Sequence, residues 1–516
     1  MIVFLQKSYL TGTSRCASFY FMDSPVSVPY RSFVIVDRVS ATPVYLQVAH
    51  QLINAIQRGY LMDGQKLPGS RRMGVLLGLH RNTVVASYEE LEAQGWTETH
   101  PSRGTFVRNG KTEKAHRLNN RGLAFYPPQT GFPFKRWTVL DNPFDQTQAR
   151  ISLDDGLPDA RFSHVGYLSR LLQVNMKRKG NQRKFGYRNL NGSEYYKENL
   201  ANFLNLTRGL HISKRNILVT RSLELSIYLV AETLISPGDR VVVGELSYFA
   251  TNMILQKAGA DIVTVPVDNE GLDITAVRRL CETSPFRMLY ITPHHHYPTT
   301  VVLSAQRRTE LLELAGRYGF IILEDDYDYD FHYDGSPLLP LASADTEGMV
   351  VYVGTFGKSM APGFRSGFVI APTNLIDEMD KLLGIMDRHG DTLTELALGE
   401  MIADGEIHRY LKMALKAYRT RRDHLVWLLR ERLNGHLDFD VPTGGLAIWT
   451  RWSNQCNLMQ FRKACAARDL FLPRYLLYQS AQYAGIRLGF GSLSTDELTE
   501  AVGLMEEAVS ATLRGR

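Results

Sequence analysis

Apolar positions fall into helical register from residue 42 onward. Val44, Val48, Leu52 and Ile56 share one face, with Thr42 placed to cap the helix, Pro43 at its first position and Gly59 past its end. A second short helix opens at Ser70, carries Met73, Leu76 and Leu77, and closes at Gly78. A third starts at about Arg81, puts Val84, Tyr88 and Leu91 on one face, and stops at Gly95. Two strand-like pieces follow, Trp96–Thr99 and Thr105–Arg108, separated by the tight-turn sequence Pro101-Ser102-Arg103-Gly104. Three helices and a hairpin predict a compact domain over 42–108. Residues 1–41 show no clear period beyond a strand-like Phe33–Val36 and stay an unassigned N-terminal extension.

The period is lost over 109–148, which begin basic and polar and are then broken by Pro127, Pro128 and Pro133. A flexible linker of that length spans roughly 35 Å on average and about 130 Å fully stretched, enough to carry the small domain over a partner subunit. From about 149 the text alternates. Short apolar strands are predicted at Ile217–Thr220, Val241–Val243, Ile262–Val265, Met288–Thr292, Phe320–Glu324, Val350–Val353 and Phe368–Ile370, with helices such as Glu224–Ile235 and Ala305–Tyr318 between them. Continuous apolar strands alternating with helices predict a mainly parallel sheet covered on both faces, in a large subdomain over about 190–385. A helix-rich stretch (Glu406–Leu429) opens a smaller α+β subdomain over about 390–516, which includes Ile486-Arg487-Leu488-Gly489-Phe490.

Composition changes this picture little. At 516 residues the chain exceeds one core. A 44% hydrophobic share with 22% charged residues is that of an ordinary globular protein, and a net charge of +6 permits a nucleic-acid partner without requiring one. Four scattered cysteines with no CxxC predict reduced thiols. Gln6 and Lys7 cut the apolar MIVFL start short, and no run approaches the ~18 apolar residues of a membrane helix, so the expected location is the cytoplasm, with no membrane partner.

Candidate chemistry in the small domain is cationic. A recognition helix needs polar and basic residues at its start, where they meet base edges and phosphates, and here it begins Arg81-Asn82-Thr83. A wing needs a narrow turn tipped by a cation, as Arg103-Gly104 provides, while Arg71 and Arg72 begin the second helix, where phosphates bind. Singly, each arginine is more often just solvated; their joint placement predicts a face for double-stranded DNA. Residues 42–107 resemble the GntR-type winged helix through Thr42-Pro43-Val44-Tyr45, Leu67-Pro68-x-Ser70-Arg71, Arg81-Asn82-Thr83-Val84 and Arg103-Gly104-Thr105-Phe106-Val107. Gly69 and His80 depart from that pattern, and His80 is a weaker helix cap than serine.

In the body, Val353-Gly354-Thr355-Phe356-Gly357-Lys358-Ser359 puts a lysine in a small-residue turn after a buried strand. A Schiff-base lysine must be approachable and partly desolvated so that its amine is neutral near pH ~7. The strand Phe320–Glu324 runs into Asp325-Asp326-Tyr327, and carboxylates at the carboxyl end of a parallel strand face the ligand crevice. A pyridinium cofactor needs one such carboxylate at its ring nitrogen. Alone, Lys358 reads as a surface lysine and Asp325 as a cap. Together with the surrounding text they resemble fold-type I aminotransferases and, more closely, the MocR-type regulators, in which a GntR winged helix precedes such a body.

The resemblance implies a multidomain chain: a small α+β winged helix-turn-helix, then a large α/β fold-type I transferase-like domain with a C-terminal α+β subdomain. It implies pyridoxal 5'-phosphate held by Lys358, Asp325 at the ring nitrogen, Tyr327 at the ring hydroxyl and Tyr248 stacked on the ring. It further implies Thr355, Arg365 and the turn at Ser222 on the phosphate, Tyr187 reaching a neighbouring subunit's phosphate in a homodimer, and Arg487 at the effector's carboxylate. Departures are Ser222-Leu223-Glu224 in the phosphate turn, Leu246 before Tyr248, Ala250 after it, and the segment His294-His295-His296-Tyr297-Pro298-Thr299-Thr300. Adjacent histidines in an extended segment alternate sides, so no metal is expected there. The leading expectation is a regulator whose DNA binding responds to an amino acid or amine condensing with the cofactor. A working aminotransferase carrying a DNA-binding domain is the alternative, and a degenerate, cofactor-free dimerisation body is the third reading.

Overall fold

The computed structural model describes residues 28–108, 129–141, 147–186, 192–359, 366–387, 390–453, 456–479 and 484–514. The chain divides into two compact units, Met1–Pro133 and Phe134–Arg516.

The first unit is built on α1 (Val44–Gln57), α2 (Ser70–Leu77), α3 (Arg81–Ala93) and an antiparallel hairpin of β1 (Thr97–His100) and β2 (Gly104–Val107). Val48, Leu52, Met73, Val84 and Leu91 meet in its core with no exposed surface. Three local expectations are corrected. Pro43, not Thr42, is the N-cap of α1, with no side-chain cap; its carbonyl accepts the amides of Leu46 (3.0 Å) and Gln47 (3.1 Å). Phe33–Val36 is not a strand, because the chain makes a helical turn at Tyr30–Phe33. Nor is that segment outside the domain: Tyr30 and Val34 join its core, and the Ile35 amide donates to the Gln51 side chain (2.8 Å). Its two buried apolar residues are too few to give a periodic signal.

The second unit centres on a seven-stranded sheet of β3 (Ile217–Thr220), β4 (Arg240–Gly244), β5 (Asp261–Val265), β6 (Met288–Ile291), β7 (Ile321–Asp326), β8 (Val350–Thr355) and β9 (Gly367–Ile370). Spatial order is β3-β9-β8-β7-β6-β4-β5. Helices including α4 (Leu223–Leu234) and α5 (Phe249–Lys257) connect the strands, so the interior ones are buried on both faces, as Val241, Val242 and Val243 illustrate. One strand departs from the parallel pattern: β9 runs antiparallel to both β8 and β3. Among the described residues no helix lies between β8 and β9, and the chain returns there in the opposite direction. The segment between them carries Lys358.

A four-stranded antiparallel sheet follows, of β10 (Leu437–Phe439), β11 (Ala447–Trp452), β12 (Leu477–Gln479) and β13 (Ala484–Gly489), beside helices Glu406–Arg432 and Thr495–Arg514. The smaller subdomain is not contiguous in sequence. Ile151–Ser152 pairs in parallel with Leu470–Phe471, and Ile151, Leu153 and Leu168 share a core with Leu488 and Val509. The final part of the expected linker likewise belongs to this unit, where Trp137 lies under the Lys257 ammonium, 5.9 Å from its ring centre. No helix among the described residues is long and apolar enough to cross a membrane.

Candidate functional site

Sheet register brings the two key residues together. Asp325 of β7 pairs across the ladder with Val353 of β8, and Asp326 with Gly354, so the chain leaves β8 toward Lys358 beside the end of β7. Both strands are parallel there, which puts their carboxyl ends at the ligand edge of the sheet. The Lys358 ammonium lies over the Tyr327 ring, 4.5 Å from its centre. Burial lowers its pKa against the opposing pull of the Asp328 and Asp155 carboxylates, which favours the neutral, nucleophilic amine.

Asp325 is buried, and the Tyr290 hydroxyl donates to its Oδ2 (2.8 Å). Its Oδ1 has no hydrogen-bond partner among the described residues. Burial pushes its pKa up to about 8. A buried carboxylate oxygen left unpaired is costly, and a protonated ring nitrogen is a donor that would satisfy it. The acceptor a pyridinium ring requires is therefore present, and the site fits the cofactor. Tyr290 was missed by sequence reasoning; its position two residues before the end of Tyr290-Ile291-Thr292, on the strand beside β7, was the available signal.

The remaining predicted residues are employed as follows. The Tyr327 hydroxyl donates to the His295 carbonyl (2.8 Å) and accepts from Arg487 Nη2 (3.4 Å). Tyr248 is the N-cap residue of α5 and meets the Tyr297 ring edge-on at 4.9 Å. Ser222 caps α4, accepting the Leu225 amide (3.1 Å), and so fixes a helix N-terminus of the kind that binds phosphate, with Glu224 exposed in its first turn. The Thr355 hydroxyl donates to the Ser366 carbonyl (2.8 Å) and accepts the Gly357 amide (2.8 Å), closing the two ends of the lysine loop on each other. Arg487 has no exposed surface. Tyr187 and Arg365 lie outside the described residues. The three histidines face three different partners: His294 the Leu338 carbonyl (2.6 Å), His295 the Asp328 carboxylate (2.8 Å) and His296 the Thr299 hydroxyl (3.0 Å).

In the first unit, Arg71, Arg72, Arg81, Asn82 and Arg103 are all exposed, and Thr83 and Gly104 are half-buried. His80 does cap α3: its ring nitrogen accepts the Asn82 amide (3.3 Å). The wing turn is sharp, with Ser102 at φ 66° and Gly104 at φ 110°. A Cβ on Gly104 would meet only the end of the flexible Lys66 side chain, so it is the backbone conformation that calls for glycine there.

Residues 156–504 match the family of class I and II aminotransferases. The chain belongs to that family. Residues 44–107 match the bacterial regulatory proteins of the gntR family, and the two domains in this order make the chain a MocR-type regulator. The probable rhizopine catabolism regulatory protein MocR of Rhizobium meliloti is 26% identical over 481 residues, which cover 93% of this chain and 96% of that one. The HTH-type transcriptional regulator YdfD of Bacillus subtilis is 24% identical, covering 92% and 98% respectively. Among solved structures, the multiple substrate aminotransferase of Thermococcus profundus superposes on 72% of this chain and 94% of its own, at 22% identity and a TM-score of 0.66, and so shares the body's fold.

Proposed function

We propose that this chain is a DNA-binding transcription regulator that senses a small amino compound through pyridoxal 5'-phosphate held at Lys358. The observation that carries the reading is the unpartnered, buried Asp325 oxygen on the strand next to the one that delivers Lys358, in a chain that also bears an exposed, arginine-rich winged helix. Bound there, pyridoxal phosphate would supply an aldehyde that captures amines and a ring that draws off electron density. Lys358 would hold the aldehyde carbon, Asp325 the ring nitrogen, Tyr327 the ring hydroxyl and Tyr248 the ring face. Ser222, Thr355 and Arg365 would serve the phosphate, with Tyr187 reaching across a homodimer in the cytoplasm.

A regulator gains from differential affinity between two states rather than from consuming its signal. Sustained transamination also asks for tighter positioning than sensing does, since misplacement near ~1 Å can cost about 100-fold in rate. Purified protein loaded with cofactor and given an amino-compound library with 2-oxoglutarate or pyruvate is expected to change its visible spectrum and its operator affinity without forming product. Turnover near the ~10 per second of typical enzymes would instead make the chain an aminotransferase that carries a DNA-binding domain. Sedimentation is expected to give a dimer; a cofactor-loaded monomer at micromolar concentration would contradict the shared pocket.

The DNA face has its own test. Arg81→Ala is expected to cost ~1–3 kcal/mol on the operator and to relax sequence preference, as a base-reading residue does. Arg103→Ala is expected to weaken binding at the minor groove next to the half-site. Undiminished operator binding by the double variant in a gel-shift titration would move the DNA face elsewhere.

A further inference from the structure

The turn that presents Lys358 is pinned on both sides. Before the lysine, the Thr355 hydroxyl donates to the Ser366 carbonyl, and Phe356 is buried between the Phe203 and Phe368 rings, whose centres lie 5.8 and 5.9 Å away. After it, Ser359 is buried and donates its hydroxyl to Asp330 Oδ2. The other oxygen of Asp330 accepts from Arg208 Nη2 (2.7 Å), an ion pair whose side chains are only 6% and 8% exposed. Arg208 ends the helix Glu194–Arg208, and its guanidinium lies over the Tyr329 ring, 4.5 Å from its centre.

Arg208 reaches the other chemistry-bearing segment as well. Its Nε donates to the Tyr352 hydroxyl (3.3 Å), and that hydroxyl donates to Asp326 Oδ2. A continuous buried chain therefore runs from Ser359 through Asp330, Arg208 and Tyr352 to Asp326. Its two ends are the residue after Lys358 and the residue after Asp325. Burial works against the charge of Arg208, and Asp330, Tyr352 and Asp326 outweigh it, so its pKa stands above the ordinary value. A buried ion pair is weak ground for stability, because desolvation offsets the attraction and apolar side chains of similar volume often do as well. Direction is what apolar packing does not supply. Hydrogen bonds are directional, and these hold one side chain at each of the two segments.

We propose that Arg208 is a positioning residue for cofactor attachment, holding the Lys358 turn through Asp330 and Ser359 and the end of β7 through Tyr352 and Asp326. In attachment the neutral Lys358 amine adds to the aldehyde carbon, a C–N double bond forms, and the carbonyl oxygen leaves as water with the two amine hydrogens. The amine must reach that carbon while the ring nitrogen lies at Asp325, so the step depends on the spacing of two separate segments. Arg208 spans them from outside the reacting groups: among the described residues its side chain bonds to Thr207, Asp330 and Tyr352, and to neither Lys358 nor Asp325. This rests on reading Lys358 as the cofactor lysine, and it adds the residues that set how fast that lysine reacts.

Attachment is followed in the full-length protein by the change in visible absorbance after mixing with excess pyridoxal phosphate, which gives a limiting first-order rate and a half-saturating concentration. Ser359→Ala removes one hydroxyl, Asp330→Asn removes the ion pair, and Arg208→Lys keeps the charge but loses the fork that reaches two partners. Each is expected to lower the limiting rate at least about tenfold, since misplacement of ~1 Å can cost about 100-fold, while the half-saturating concentration stays within about threefold of wild type. Ser359→Thr, which keeps the hydroxyl, should recover the rate to within about threefold. Because the links act as one chain, Ser359→Ala combined with Asp330→Asn should be no more than about threefold slower than the slower single variant. A wild-type rate in Ser359→Ala or Arg208→Lys, slowing that Ser359→Thr does not recover, or slowdowns that multiply in the double variant overturns the proposal and leaves the cofactor lysine standing. So does a rise in half-saturating concentration that matches the loss in rate, as general loosening of the pocket would give. Failure of the wild type to attach the cofactor overturns both. Ser359→Ala and Asp330→Asn keep the test decisive where Arg208→Lys folds poorly.

Discussion

Lys358→Ala is expected to abolish covalent attachment of pyridoxal phosphate. Wild-type protein incubated with the cofactor and reduced with borohydride should keep it through denaturation, and the variant should keep none. The expectation follows from one amine delivered by the β8–β9 loop to the carboxyl edge of the sheet, with its pKa lowered by burial, so that the attacking form is populated. Removing the side chain leaves Tyr327, Asp325 and their hydrogen bonds in place, so a folded variant that has lost only the covalent link is the expected outcome. Mass spectrometry that finds the reduced label retained in the variant, on any other lysine, would move the site.

Asp325→Asn should have the second largest effect, with a sign in pH that identifies its cause. A neutral amide can still accept the Tyr290 hydroxyl, but it cannot pair as an anion with a protonated ring nitrogen. Loss of one partner from a buried, charge-paired contact costs about 2–5 kcal/mol, so cofactor affinity should fall by at least roughly 30-fold. In the cofactor-free protein the same carboxyl works against folding. Its pKa is raised from 3.8 in the unfolded chain to about 8 in the folded one, so between those values the folded state holds a proton that the unfolded state has released. Stability therefore falls as pH rises across that window and levels off above it. The neighbouring Glu324, buried and also raised to about 8, adds a contribution of the same sign. The melting temperature of cofactor-free Asp325→Asn should consequently decline less steeply between about pH 4 and 8 than that of the wild type. Equal slopes in the two proteins would show that Asp325 is ionised and paired before any cofactor arrives.

All seven strands of the large sheet were legible because each is a short apolar run between polar boundaries, and sheet burial on both faces requires little else. The helix Ala305–Tyr318 was legible to the residue, since Ser304 caps it and Gly319 ends it in a left-handed conformation. The lysine turn, the Asp325-Asp326-Tyr327 step and the arginines of the winged helix were legible because each is a local run of residues. What escaped was non-local. Tyr290 reads as one more apolar strand residue until the sheet sets it opposite Leu323, from where its hydroxyl reaches Asp325. The pairing of Ile151–Ser152 with Leu470–Phe471 joins segments hundreds of residues apart, and no local pattern announces it.

The sequence by itself determined the two domains and their order, because periodicity and short motifs are local properties of the chain. Tertiary structure alone decided how the residues within them are employed. It left the Asp325 Oδ1 without a partner and engaged Arg487 with two backbone carbonyls. Hydrogen-bond satisfaction depends on which groups meet across the fold, and burial then sets how much an unmet group matters. A carboxylate is the same in every sequence; whether it awaits a ligand is settled only by its neighbours.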